Sequence, residues 1–225
     1  MIKADGVEID RIERFLGLVE NKTPVPSFLR EFYALFPHVH EIGLTAAYRL
    51  AGRPLKKLRD ESAVLVHFLE SVDGYDFVRQ NLGNGIPDAC LWRGGKPIDV
   101  EITVALARMR LALAEQINKA GHSSGFLTLH DDRSVTEFRH AADQLNSGYT
   151  TDEFIITLMS GIVPRVKKKS KSDRRGILLI DCPIGEKVIP QSGLDRLVGE
   201  LTPRLAPNPF DEIFLVDNGR IARVK

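Results

Sequence analysis

IPDACLWRGGKPIDVEIT, residues 86–103, holds two short runs of strand-forming residues on either side of Gly94-Gly95. A Gly-Gly pair between such runs turns a two-residue hairpin. ACLWR (89–93) therefore pairs with KPIDVEIT (96–103), and partner positions have residue numbers that sum to about 189. Side chains alternate along a strand, so Ile98, Val100 and Ile102 share one face and Asp99, Glu101 and Thr103 the other. Asp88, directly after Pro87, falls opposite about residue 101, within cross-strand reach of Asp99 and Glu101. Two carboxylates on one face of an apolar strand repel each other unless a cation lies between them. A hard cation such as Mg²⁺ suits them, since it takes one or two carboxylates and completes its shell with water and phosphate oxygens. Acids at i and i+2 are also what a plain solvent-facing strand edge carries. The Pro-Asp and the flanking elements move the reading toward a metal site.

Upstream, LKKLRDESAVLVHFLESV (55–72) has apolar residues at helical spacing, Asp73-Gly74 ends it, and YDFVRQN (75–81) has strand character. Downstream, VALARMRLALAEQINKAG (104–121) is an Ala- and Leu-rich helix with Gly121 suited to its C-terminal cap. GFLTLHD (125–131) reads as a short strand and SVTEFRHAADQLNSG (134–148) as a helix. TTDEFIITLMSGIVPRVKKK (150–169) reads as a helix capped by Thr151 or Asp152, in preference to a strand with a basic loop. RGILLIDCP (175–183) is a buried strand, residues 193–204 a helix, and EIFLVD and RIARVK two strands around Asn218-Gly219. The first 52 residues, with helices at 7–20, 27–36 and about 44–50, read as an N-terminal helical extension. Residues 53–225 then form an α/β domain, a mixed β-sheet flanked by helices.

The segment from 53 to 121, centred on IPDACLWRGGKPIDVEIT, resembles the PD-(D/E)XK nuclease superfamily, whose fold is restriction-endonuclease-like. In that pattern a Pro-Asp opens one strand, and an acid, any residue and a lysine follow on the next. The resemblance makes Asp88 the first acid and Asp99 the second, with Glu101 where the lysine would stand. In the other register Glu101 is the second acid and Thr103 replaces the lysine; both registers remain open, and both lack the lysine. The superfamily often adds an acid from the preceding helix, where Glu61 matches best and Glu70 second; nine residues apart, they face opposite ways. Gln116 is similar to a glutamine found in some members. The missing positive charge is sought at Lys119, Arg108 or Arg110, since Lys96 has the core-facing parity.

The resemblance implies metal-dependent hydrolysis of phosphodiester bonds, in DNA first of all. Asp88, Asp99 and Glu101 would hold Mg²⁺ or Mn²⁺, with Glu61 joining the catalytic set and Glu101 also able to orient the attacking water. The alternative is a catalytically inactive nuclease fold that binds nucleic acid or serves as a protein-interaction scaffold. Other sites are weaker: His38 and His40 are close but have no third ligand at metal spacing, and no phosphate-cradling glycine loop occurs.

Composition narrows the setting. The 225 residues carry a net charge of +1, so any basic character is local. Two clusters provide it: Arg49, Arg53, Lys56, Lys57 and Arg59, and RVKKKSKSDRR (165–175) with Lys167, Lys168 and Lys169. Arg53, Lys56, Lys57, Lys119 and Lys167–169 are the expected nucleic-acid contacts, although such runs are commonly solvated faces. The N-terminus has charges where a signal peptide needs an apolar stretch, and FIITLMSGIVP (154–164) is too short to span a bilayer. Two cysteines without metal spacing, Cys90 and Cys182, fit reduced thiols. A cytoplasmic protein without membrane contact is expected, able to act as a homodimer.

Overall fold

The computed structural model describes residues 6–35, 55–83, 87–121, 129, 133–143, 149–170 and 175–225. Arg49, Arg53, the helix expected at 44–50 and, apart from Leu129, the strand expected at 125–131 lie outside them. The chain is an α/β protein with a seven-stranded mixed sheet and flanking helices, the strands running in the order β1-β2-β3-β4-β5-β6-β7. It divides into two compact units, residues 1–103 with 175–179 and residues 104–174 with 180–225.

The first unit opens with α1 (Gly6–Val19), β1 (Thr23–Pro24) and α2 (Val25–Ala34). Ile12, Phe15, Leu16 and Val19 recur at helical spacing and are buried, and Phe15 meets Phe28 and Phe32 at ring distances of 5.7 and 5.8 Å. The turn expected at 21–27 instead holds β1, which pairs Thr23 with Val78. Next come α3 (Leu55–Lys57), a π-helical turn (Leu58–Ser62) and α4 (Ala63–Ser71) in one run, where the sequence predicts a regular helix. The Ala63 N–H reaches back five residues to the Leu58 carbonyl, so one extra residue is accommodated and the helical phase shifts.

β2 (Phe77–Gln80), β3 (Ala89–Arg93) and β4 (Lys96–Val104) form an antiparallel meander. Gly94 and Gly95 both have positive φ, 56° and 77°, which the tight turn requires. The register is the expected one: Ala89 pairs with Val100, Cys90 with Asp99 and Arg93 with Lys96. Val78, Leu91 and Val100 are fully buried on one face. β5 (Ile177–Asp181) follows Gly176, whose φ is 113° and whose Cα lies so near β4 that a Cβ would be 2.3 Å from the Asp99 carbonyl oxygen.

The second unit contains α5 (Ala107–Ala120), α6 (Val135–Asp143), α7 (Thr151–Lys169), α8 (Gln191–Leu205), β6 (Glu212–Asp217) and β7 (Arg220–Arg223). Gly121 caps α5 in the left-handed conformation, φ 77°. The cap of α7 is Thr150, one residue earlier than the sequence suggests: its hydroxyl accepts from the Glu153 N–H, and the Glu153 carboxylate accepts from the Thr150 N–H. Phe154, Ile155, Leu158 and Ile162 of α7 are fully buried, as are Leu197 and Leu201 of α8. No helix among the described residues is long and apolar enough to cross a membrane.

Candidate functional site

The carboxylates expected to act together have different surroundings. Asp88, half-buried at the start of β3, accepts a hydrogen bond at Oδ2 from the Ile102 N–H at 2.8 Å. That bond ties its carboxylate to the β4 backbone at Ile102, next to Glu101. Glu101 is only 3% exposed, whereas Asp99 of the same parity is exposed, opposite Cys90. A buried carboxylate is tolerated only with polar partners, so Glu101 and Asp99 differ chemically despite standing two residues apart.

Glu61 sits in the π-helical turn, within a polar cluster of the first unit. Lys57 Nζ lies 2.6 Å from Glu61 Oε1 and donates to Oε2 at 2.9 Å; both side chains are about four-fifths buried. Gln80 Nε2 donates to Glu61 Oε2 at 3.3 Å, while the Ser62 hydroxyl donates to Gln80 Oε1 at 2.7 Å. With the extra residue in the turn, consecutive side chains, Glu61 and Ser62, both reach one glutamine on β2. Lys57 also donates to the Asn81 carbonyl at 3.4 Å, and the Asn81 N–H donates to the Asp88 carbonyl at 2.8 Å. Burial pushes the Glu61 carboxyl above the usual carboxylate range; the Lys57 ammonium pulls it down, and the Asp88 charge nearby raises it again. Glu70 faces elsewhere, accepting from the Tyr33 hydroxyl at 2.6 Å.

Among the described residues no three His, Cys, Asp or Glu side chains converge closely enough to hold a metal ion. Mg²⁺ asks less, one or two carboxylates with water and phosphate. Glu61, with Lys57 as the positive charge beside it, and Asp88, reached from Lys57 through the Asn81 backbone, are the acids that such a requirement would draw on.

The sequence places Lys57 among the nucleic-acid contacts and offers the motif's missing cation on the long helix. There Arg110 pairs with Asp181, Arg108 donates to the Arg133 carbonyl at 2.6 Å, Gln116 is half-buried and Lys119 is exposed. These belong to the second unit. The i, i+4 spacing of Lys57 and Glu61 was the available signal for this pair. The role of Gln80 is signalled in the sequence only by a glutamine at a core-facing strand position, where it is buried. Lys56 is exposed in the first unit; Lys167 and Lys168 are exposed and Lys169 half-buried at the C-terminal end of α7, where cations complement the helix dipole.

Comparison with protein-family models, with curated proteins and with solved structures returned no match.

Proposed function

We propose that this chain is a metal-dependent nuclease of restriction-endonuclease-like fold that hydrolyses phosphodiester bonds, DNA first of all. The observation that carries the reading is the chain of contacts from Glu61 to Lys57, from Lys57 to the Asn81 carbonyl and from the Asn81 N–H to Asp88, at the open end of the hairpin. An acid from the helix, the Pro-Asp acid and a lysine are the parts that phosphodiester hydrolysis needs: ligands for a cation and a fixed positive charge for the developing negative one. The order helix, three-strand meander, helix, strand in α4-β2-β3-β4-α5-β5 supports the same fold.

Glu61 and Asp88 would hold Mg²⁺ or Mn²⁺, with Glu101 and Asp99 the next acids along the strand. The ion, when bound, would lower the pKa of a water and polarise the phosphate. Lys57 pairs with Glu61 here; with a cation bound, its ammonium would be free to meet phosphate oxygens. The absence of a three-ligand group among the described residues favours a second reading, a nucleic-acid-binding protein of the same fold without catalysis.

Supercoiled plasmid incubated with Mg²⁺ or Mn²⁺ separates the two. The nuclease nicks it, and Asp88→Asn abolishes nicking while the protein remains folded. Nicking that survives Asp88→Asn, or wild-type protein that retains DNA without cutting it in either metal, overturns the catalytic reading.

A further inference from the structure

The same hairpin carries a second feature that the carboxylates do not use. Phe77 pairs with Trp92 and Trp92 with Pro97 across three strands, and the next row is Arg79, Cys90 and Asp99. By strand alternation both rows lie on one face of the meander, the face of Asp99 and Glu101. Phe77 and Trp92 are half-buried there and Arg79 is exposed. Lys22, from the turn before β1, lies over both rings, its ammonium 4.4 Å from the Phe77 centroid and 4.8 Å from that of Trp92. Arg79 is 6.0 Å from the Trp92 ring. The Cys90 thiol is raised by burial and by Asp99 and lowered by Arg79 and Lys22, which fits all four sharing this face.

Lys22 also lines an open groove of about 1030 Å³ beside α1 and α2, together with Arg11, Arg14 and Arg30 and the apolar Phe15 and Leu18. Arg30 is taken by Glu31, but Arg11, Arg14, Lys22 and Arg79 form no hydrogen bond or ion pair among the described residues. Cations without an ion pair among the described residues thus continue from the groove to two aromatic faces. Asp88 immediately precedes β3, four residues before Trp92, a separation of about 13 Å in extended chain.

We propose that this face of the first unit is a docking platform for single-stranded nucleic acid, with unpaired bases stacking on Trp92 and Phe77 and phosphates meeting Lys22, Arg79 and the arginines of the groove. A flat ring accepts only the face of an unstacked base, whereas a duplex offers base edges. Lys22 occupies the stacking position in the free protein. Stacking of a base on an aromatic ring is stronger than an exposed cation–π contact, so a base displaces it and the ammonium turns to phosphate. The four cations and the two rings together match an anionic chain of aromatic groups. This deepens the nuclease reading by naming its substrate class, yet docking itself requires no catalysis.

Trp92 is the only tryptophan, so its emission reports the site directly. In EDTA, which removes catalysis, a twelve-residue oligo(dT) or oligo(U) quenches Trp92 and binds more tightly than a duplex of the same length; the two single strands distinguish DNA from RNA. The double variant Lys22→Ala/Arg79→Ala, which keeps the reporter, weakens binding about tenfold or more and flattens its salt dependence. Trp92→Leu, followed by polarisation of a labelled oligonucleotide, weakens it about five- to a hundredfold. Equal binding of duplex, equal quenching by polyglutamate, or single-strand affinity unchanged in both variants overturns the proposal. Plasmid nicking that persists beside any of those results leaves the nuclease reading standing; quenching by oligo(dT) without nicking leaves the platform standing and removes the nuclease.

Discussion

Lys57→Met removes the ammonium from Glu61 while keeping most of the lysine's apolar stem. An exposed ion pair is worth about 0–1 kcal/mol and breaking a fully buried one costs about 3–5 kcal/mol. With side-chain exposures of 21% and 16% and contacts of 2.6 and 2.9 Å, the Lys57–Glu61 pair lies between those limits. We expect a loss of about 2 kcal/mol at pH 8. The pH dependence gives the sharper test. Folding raises the pKa of Glu61, so the folded chain keeps that proton longer than the unfolded chain. Stability from this group is therefore present at low pH and declines as pH rises from the ordinary carboxylate value through the folded one. Without Lys57 the folded pKa rises further, the decline extends to higher pH, and the variant approaches wild type in acid, where Glu61 is neutral. Urea unfolding followed through Trp92, which lies in the first unit, measures this directly, and Lys57→Met/Glu61→Gln recovers part of the loss. A deficit equal at pH 4 and pH 8, or a double variant as unstable as the sum of the singles, would refute the reasoning, because the lysine would then act through packing alone.

Gly176→Ala is expected to cost about 3 kcal/mol, since it combines a left-handed backbone with a methyl group driven 2.3 Å from the Asp99 carbonyl oxygen; an unchanged melting temperature contradicts that. The thiols of Cys90 and Cys182 are buried and raised in pKa, Cys182 strongly so. Neither should react promptly with a disulfide reagent at pH 8 until denaturant is added, and a fast native equivalent would show one of them open to solvent.

The hairpin was legible because its rule is local. Two glycines with positive φ close the turn, the turn sets the pairing, and the pairing sets the faces. Helical periodicity was read equally well for α1, α5 and α7, where apolar spacing and caps act over a few residues; the misplaced cap, Thr150 in place of Thr151 or Asp152, is a one-residue error among adjacent capping residues. The two-residue β1 was invisible, since Thr23-Pro24 gains strand geometry only from its partners on β2.

Asp99, Glu101 and Asp88 look equivalent along the chain, three acids on one face of a pair of strands. Folding separates them, one exposed, one buried and one bonded to a backbone N–H, because burial depends on what the rest of the chain lays over each position. Lys57, Glu61 and Gln80 meet for the same reason: a helix must dock on a sheet, with a π-helical turn adjusting its phase, before a lysine at position 57 and a glutamine at 80 can both reach the carboxylate at 61. Short-range geometry can be computed from neighbours in sequence. Electrostatic environment belongs to neighbours in space, and those exist only once the core has closed.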